Sequence, residues 1–242
     1  TSFGHDEAYY PPEMQLRVAH LLSRFDAISV REKSGVDICK NRYGIEAQHT
    51  ISPVFLCGMN HWDKAISLSR AKEETPYVLA YMLDPTDEKM EMVRRTAKEM
   101  NLPYRVIVDG QKEFEDVAKA VNDPNVLENV EIADWLYYFR NASYVVTDSF
   151  HGFCFSILFN RSMTVIPNSG RGLTRFNSLC ELTGLHSRCC NNLEEFEQSR
   201  PWENAVDFAA VSARMKPMID YSRNWLETAL NENDPTRRKS EK

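Results

Sequence analysis

The fold is decided by residues 144–159, which read Tyr-Val-Val-Thr-Asp-Ser-Phe-His-Gly-Phe-Cys-Phe-Ser-Ile-Leu-Phe. The apolar run at 144–147 predicts a buried strand, and the apolar stretch after Gly152 predicts a helix. Only a short run of mostly small or polar residues separates the two, so the chain passes from strand to helix through a tight turn. Such a junction is typical of the β-α-β units of a parallel sheet.

Strands and helices alternate on both sides of this junction. Further apolar strands are predicted at 27–30, 77–82, 104–108 and 163–166. Further helices are predicted at 12–25, 31–43, 86–100, 131–141, 173–183 and 211–230. The start of the helix at 31–43 is predicted from the spacing of Ser29 and Glu32, which fits a capping box. Because strands separated by helices form parallel sheets, we predict an α/β protein with an open, doubly wound parallel sheet.

The composition excludes several classes of protein. The 242 residues include 29 Lys and Arg against 35 Asp and Glu, and the resulting net charge of −6 argues against a general nucleic-acid binder. No apolar run is long enough to span a membrane, and residues 1–6 do not resemble a signal peptide. No Walker loop, dinucleotide-binding glycine motif or metal-ligand cluster is present. The six cysteines contain no C-x-x-C pair and are interpreted as reduced, mostly core residues, which favours the cytoplasm.

The junction at 147–152 is the first candidate site. Ligands of doubly wound sheets bind at the carboxyl ends of the strands, and amides at the start of a helix bind anions. His151 lies in the turn, where an imidazole can act as a general acid or base beside a bound anion. The structural alternative is that Asp148 or Ser149 only caps the helix and that His151 packs in a loop.

Two further segments carry arginines after predicted strands. Arg31 stands at the start of a helix, where a guanidinium can bind a phosphate or carboxylate through two hydrogen bonds. Arg171 and Arg175 follow a glycine-containing segment and would suit a polyanionic substrate. The alternatives are a surface arginine beside a capping box in the first segment and a solvated loop in the second.

Several motifs together resemble the polysaccharide pyruvyl transferase family. Residues 25–37, Phe-Asp-Ala-Ile-Ser-Val-Arg-Glu-Lys-Ser-Gly-Val-Asp, are similar to its S-x-R-(D/E)-x-x-S segment, which adds Ser34 to the candidate residues. Residues 146–152, Val-Thr-Asp-Ser-Phe-His-Gly, resemble its most recognisable motif. Residues 175–184 resemble the R-x-x-S-L-L-E-x-x-G helix, and residues 2–4 resemble a family strand end. The chain departs from the pattern at Ser52, because family members often have Asp before the proline at this position.

The resemblance implies two Rossmann-like domains in a GT-B-like architecture and a transfer from phosphoenolpyruvate. The enolpyruvyl carbons would move onto two sugar hydroxyls as a ketal, with release of phosphate and without a cofactor or metal. In this interpretation His151 is the catalytic acid or base. The substrate-binding residues are Arg31, Ser34, Asp148, Ser149, Gly152, Arg171 and Arg175.

The biological setting follows from the same resemblance. We expect a role in the synthesis of capsule, exopolysaccharide or cell-wall polysaccharide, in the cytoplasm or peripherally at the inner face of the membrane. The partners would be phosphoenolpyruvate and a saccharide acceptor. We expect no nucleic-acid partner. Whether the acceptor is lipid-linked or nucleotide-linked, and whether the protein is a homo-oligomer, are left open. Two alternative functions are a GT-B-type glycosyltransferase that uses a nucleotide sugar and a non-catalytic carbohydrate-binding remnant of the fold.

The motif positions predict a division of the chain. Residues 1–54 are interpreted as the C-terminal part of an N-terminal Rossmann-like domain, residues 55–230 as a C-terminal Rossmann-like domain, and residues 231–242 as a disordered tail. Accordingly, we expect that the native protein continues before Thr1 and that the N-terminal domain is incomplete here. We also expect this chain alone to be weakly active or inactive.

Overall fold

A computed structural model describes residues 10–108, 121–168 and 172–232 of the chain. The helices, in chain order, are α1 (Pro12–Leu22), α2 (Lys33–Tyr43), α3 (Met59–Ile66), α4 (Asp87–Met100), α5 (Ile132–Asn141), α6 (Phe150–Leu158), α7 (Leu173–Thr183), α8 (Leu193–Ser199) and α9 (Phe208–Glu232). The strands are β1 (Ser29–Val30), β2 (Gln48–His49), β3 (Val78–Met82), β4 (Tyr104–Val108), β5 (Tyr144–Thr147) and β6 (Met163–Val165). Short 3-10 helices cover Pro53–Phe55, His186–Arg188 and Pro201–Glu203.

Contacts divide the described residues into two compact units. The first unit holds residues 10–56, 172–184 and 209–232, and the second holds residues 57–108, 121–168 and 185–208. The first break lies close to the boundary that the sequence predicts at 54. The segments 172–184 and 209–232, however, group with the first unit and interrupt the continuous domain predicted at 55–230. Most of the predicted tail lies outside the described residues.

The second unit is built on the predicted parallel sheet. Its strand order is β4-β3-β5-β6, and every pair is parallel. Val78 pairs with both Tyr104 and Tyr144, so the three strands begin at the same level. The carboxyl ends of β3 and β5 consequently lie side by side at one edge of the sheet.

Helices cover both faces of this sheet, as a doubly wound fold requires. On one face, Met90 and Val93 of α4 and Phe196 of α8 join the buried cluster formed with β3, β4 and β5. On the other face, the ring of Trp135 packs against Phe139 and Phe155, with centroids 4.2 and 4.9 Å apart. Phe139 of α5 is therefore part of the core, and the half-buried Trp135 packs against it.

The first unit contains the short parallel pair β1 and β2, in which Val30 is opposite His49. The capping-box prediction is wrong, because Ser29 belongs to β1 and α2 begins only at Lys33, after the N-cap Glu32. Helix α7 joins this unit partly through the ion pair of Lys33 with Glu181, 2.8 Å long.

Helix α9 is held to the same unit through the segment that follows β2. The Ile51 amide donates to the buried Ser222 hydroxyl over 2.9 Å, and Tyr221 of α9 donates to the Gln48 side chain over 2.8 Å. These contacts explain why α9 belongs to the first unit. None of the helices in the described part of the chain has the length and apolar character needed to cross a membrane.

Candidate active site

The strand-to-helix junction at residues 147–152 is tied to the neighbouring strand by hydrogen bonds of one side chain. Every residue of β5 is buried, and Ser149 is the N-cap of α6. The Ser149 amide donates to the Thr147 hydroxyl oxygen over 3.1 Å, and that hydroxyl donates to the Tyr81 carbonyl of β3 over 2.7 Å. The Thr147 side chain thus ties the turn to the neighbouring strand.

Gly152 allows the helix to begin directly at the strand end. A Cβ atom at this position would lie 2.2 Å from Thr147 Oγ1 and 3.0 Å from its Cβ and Cγ2. Since real Cβ atoms do not approach other atoms so closely, any larger residue would push α6 away from β5. Gly152 consequently contributes to the site by letting α6 pack closely against the end of β5.

Asp148 has a buried carboxylate that accepts hydrogen bonds from three donors. Its side chain is 0% exposed. Oδ1 accepts from the Leu83 amide over 2.6 Å, while Oδ2 accepts from the Asp84 amide over 3.1 Å and from Lys89 Nζ over 2.6 Å. This geometry fixes the Asp148 carboxylate inside the second unit, and its contact with a substrate stays a prediction.

The sequence reasoning missed Asp84, Lys89 and Asn168, which extend this network. Lys89 Nζ donates to the Asp84 carbonyl over 2.7 Å, and Asn168 Nδ2 donates to Asp84 Oδ2 over 2.7 Å. Asp84 follows β3, Asn168 follows β6, and the carboxyl ends of parallel strands meet at one edge. That rule, applied to every polar residue after a strand, would have found Asp84 and Asn168.

His151 occupies the first turn of α6, and its side chain is exposed. Its ring lies against that of Phe150, with centroids 6.0 Å apart. Of the four residues predicted here, His151 is exposed, whereas Asp148, Ser149 and Gly152 are buried beneath it. The positive end of the α6 dipole lies beside this imidazole, so the junction combines an anion-favouring field with a titratable group.

The first unit has a second group of polar residues at the carboxyl ends of β1 and β2. Arg31 follows β1 and is half-buried, and His49 ends β2. Burial lowers the pKa of the His49 imidazole, and a hydrogen bond with the Arg31 backbone opposes that shift. No role could be predicted for His49, because its place beside Arg31 depends on the pairing of the two strands.

Two buried hydroxyls lie in the same unit. In the described part of the chain, Ser34 Oγ in the first turn of α2 and Ser52 Oγ after β2 have no hydrogen-bond partner. Ser52 is 4% exposed, and it occupies the position at which the family often has Asp. Arg175 is half-buried in the first turn of α7, whereas Arg171 lies outside the described residues.

The arrangement can bind an anion and move a proton within the second unit. The start of α6 has the amides and the dipole for the first task, and His151 has a titratable side chain for the second. In the first unit, Arg31 is placed where a guanidinium can bind a phosphate or carboxylate. Within the described ranges, no three His, Cys, Asp or Glu side chains are grouped so that they could hold a metal ion.

A comparison with protein families gives a match over most of the chain. The family described as polysaccharide pyruvyl transferase matches residues 2–170. The matched range contains Arg31, Ser34 and the whole junction at 147–152. No curated protein sequence matches the chain.

Solved structures share the fold of this chain at low sequence identity. A structure of the wall teichoic acid polymerase TagF has a TM-score of 0.52 and 11% identity, covering 93% of this chain and 63% of that one. A protein described as a UDP-N-acetylglucosamine 2-epimerase from Listeria monocytogenes has a TM-score of 0.53 and 12% identity, covering 87% of this chain and 60% of that one. These similarities show a Rossmann-like α/β fold of the GT-B-like class. The chain spans about three fifths of the length of these structures.

Proposed function

Since this chain belongs to the polysaccharide pyruvyl transferase family, we propose that it transfers a pyruvyl group from phosphoenolpyruvate to two hydroxyls of a sugar during polysaccharide synthesis. The observation that carries the proposal is the exposed His151 in the first turn of α6, held at the end of buried β5 by Gly152 and Asp148. A titratable group beside an anion-favouring helix start supports the proposal, because the donor is an anion that must be protonated.

The donor needs an anion site because phosphoenolpyruvate carries a phosphate and a carboxylate. The amino-terminal end of α6 favours a negative charge through its dipole and its amide groups. Ser149 lies at this end and is the predicted hydroxyl contact of the donor. Arg31 and Ser34 in the first unit, with Arg171 and Arg175, keep their predicted role of binding anionic groups of the substrates.

The reaction needs a proton at the methylene carbon of the donor. We assign its delivery to His151, which acts as the general acid. Protonation leaves a positive charge on the adjacent carbon, and a sugar hydroxyl attacks that carbon and loses its proton. The bond from that carbon to the phosphate oxygen then breaks, and a second hydroxyl of the same sugar closes the ketal. Of the two protons that the sugar hydroxyls lose, one replaces the proton that His151 gave to the methylene carbon, and the other leaves with phosphate.

The test measures two products from one incubation. The protein is mixed with phosphoenolpyruvate and a panel of methyl hexopyranosides with free O4 and O6, and phosphate is assayed while the sugar is analysed by mass spectrometry. We expect phosphate release that depends on a sugar, together with a sugar heavier by pyruvate minus water. Lipid-linked and nucleotide-linked versions of a reactive sugar then identify the carrier.

Other outcomes separate the alternatives. Release of a nucleotide from a nucleotide sugar, without phosphate from phosphoenolpyruvate, would identify a glycosyltransferase instead. Binding of the sugars without any turnover would identify a non-catalytic protein.

His151→Ala tests the catalytic assignment within this reaction. We expect turnover to fall at least about 100-fold, because a positioned acid contributes at least that factor. The melting temperature should stay unchanged, since the side chain is exposed. The matched control is His186→Ala, which removes another exposed histidine of the same unit. Turnover of His151→Ala equal to that of the control would refute the assignment.

A further inference from the structure

We infer that a cavity beside Arg188 binds an anionic monosaccharide, that is, a sugar with one carboxylate or one phosphate group. The cavity has a volume of about 420 Å³, and all its lining residues belong to the second unit. A volume of this size is typical of sites for small molecules. None of the lining residues belongs to the junction at 147–152, so this is a second site, and its occupation does not depend on pyruvyl transfer.

The cavity lies beyond the β6 edge of the parallel sheet. Cys189 pairs with Val165 of β6 in a parallel bridge, and the Cys190 amide donates to the Val165 carbonyl over 2.9 Å. The segment that follows α7 therefore extends the sheet past β6. Residues of α8 and of the 3-10 helix that begins at Pro201 complete the walls. The six polar side chains that line the cavity are Ser187, Arg188, Glu195, Gln198, Ser199 and Asn204.

Arg188 is the cation of this cavity, and it is only 6% exposed. Its Nη1 donates to the Pro201 carbonyl over 2.5 Å, whereas its Nε is buried and has no hydrogen-bond partner among the described residues. The guanidinium also lies near the Tyr144 hydroxyl, because burial raises the pKa of that phenol and the Arg188 charge opposes the rise. Since buried donors are nearly always paired in proteins, the unfilled donor indicates a bound partner.

The charge of Arg188 is not neutralised by a carboxylate of the described residues, because no ion pair joins its guanidinium to one of them. Glu195 also lines the cavity, but its Oε2 accepts from the amide and the side-chain nitrogen of Asn191, over 2.8 and 2.9 Å. Buried charges are usually paired, and a guanidinium binds a carboxylate or phosphate through two parallel hydrogen bonds. The counter-ion that fits Arg188 is therefore the anionic group of a ligand.

The other polar groups of the cavity favour a sugar as the carrier of that anion. The side chains of Glu195, Gln198 and Asn204 can accept hydrogen bonds from hydroxyl groups, and the two amides can also donate to them. The negative charge of Glu195 disfavours a second anionic group in the same cavity. Among the lining residues there is no aromatic ring on which a nucleotide base could stack. A ligand with several hydroxyls and one anionic group meets all these conditions.

Isothermal titration calorimetry of the whole chain tests the site. The anionic probes are D-glucuronate and D-glucose 6-phosphate, with their galactose counterparts, and the reference probes are D-glucose and inorganic phosphate. We expect at least one anionic sugar to bind with a Kd below about 1 mM, and both references to bind at least about 10-fold more weakly. The uronates and the sugar phosphates show which anionic group is preferred. If no anionic sugar binds, or if inorganic phosphate binds as tightly and the cavity takes an adventitious ion only, the inference is overturned.

Arg188→Gln assigns the binding to this cavity. We expect the Kd of the anionic sugar to rise at least about 10-fold, because hydrogen bonds to a charged group contribute at least that factor. The matched control is Arg161→Gln in the same unit. Nη1 of Arg161 donates to the Ala142 carbonyl and its Nε has no partner in the described ranges, but the residue does not line this cavity. Equal affinities of the two variants would place the sugar elsewhere on the protein and overturn the inference.

A second variant keeps the site testable if Arg188→Gln does not fold. Asn204→Asp adds a negative charge to the cavity wall at an exposed position and barely changes the size of the side chain. Because like charges repel, the Kd of the anionic sugar should rise at least about 3-fold. Asn141→Asp makes the same change at an exposed residue that does not line the cavity, and it should leave the Kd unchanged. The same Kd in both variants would contradict binding in the cavity.

Discussion

Replacing Lys89 with methionine tests whether the network under the junction stabilises the second unit. The substitution keeps a long apolar stem and removes the ammonium group that lies 2.6 Å from Asp148 Oδ2. The Asp148 carboxylate is 0% exposed and would keep only its two amide donors, from Leu83 and Asp84. A buried charge without its partner is expensive because the protein interior solvates it poorly.

The magnitude follows from the burial of the pair. Breaking a buried ion pair by removing one partner costs about 3–5 kcal/mol, and the lower value applies here because two amides remain and Lys89 is partly exposed. We therefore expect the free energy of unfolding to fall by about 3 kcal/mol. In a chain of this size, that loss lowers the melting temperature by roughly 6–12 °C.

Urea denaturation followed by tryptophan fluorescence gives the required measurement. Three of the four tryptophans, at 62, 135 and 202, lie in the second unit, so the signal mainly reports this unit. The matched control is Arg94→Met on the same helix, which breaks an exposed pair with Glu91. We expect the control to cost at most about 1 kcal/mol.

A double-mutant cycle assigns the loss to the pair. Asp148→Asn removes the charge that Lys89→Met leaves unpaired, so the double variant should lose less stability than the sum of the two single variants. We expect a coupling of about 2 kcal/mol. Two results would show that the buried pair does not stabilise the second unit. One is an equal loss of unfolding free energy in Lys89→Met and Arg94→Met, and the other is strict additivity of the two single losses in the cycle.

Two further predictions concern the junction and the first unit. Gly152→Ala should lower the free energy of unfolding by about 1–3 kcal/mol and reduce phosphate release, because its Cβ would collide with Thr147 Oγ1; wild-type stability in urea would show that the close approach is unimportant. Because the folded state lowers the pKa of His49, the folded chain binds fewer protons than the unfolded one, and stability should fall as the pH drops below about 6.5. Urea titrations at about pH 7.5 and about pH 5.5 measure this loss of unfolding free energy. The loss should be smaller in His49→Gln than in the wild-type protein, and an identical loss in both would contradict the role of His49.

Much of the fold could be predicted because the signals are local. The apolar runs at 77–82, 104–108, 144–147 and 163–166 correspond to the four strands of the second unit. The order of strand, short turn and helix at 144–159 predicts both the parallel sheet and the edge at which His151 is exposed. A strand or helix pattern depends on neighbouring residues, so one sequence is enough to show it.

The apolar stretch at 51–56 shows a limit of such patterns. The strand of this region is β2, Gln48–His49, and Pro53 begins a 3-10 helix. Proline has no amide hydrogen for a sheet, so the strand ends before it. The two residues of β2 are polar, and only their pairing with β1 identifies them as a strand.

Local sequence patterns were enough to predict the α/β class, the doubly wound sheet of the second unit and the position of His151 at a strand end. Only the folded chain shows the three donors to the buried Asp148 carboxylate, the place of Asp84 beside Asn168, and the grouping of α9 with the first unit. These features depend on contacts between residues that are distant in sequence, such as Lys89 with Asp148, 59 positions apart, and Asp84 with Asn168, 84 positions apart. A local pattern places a polar residue after a strand, but only packing selects the partner that its hydrogen bonds reach.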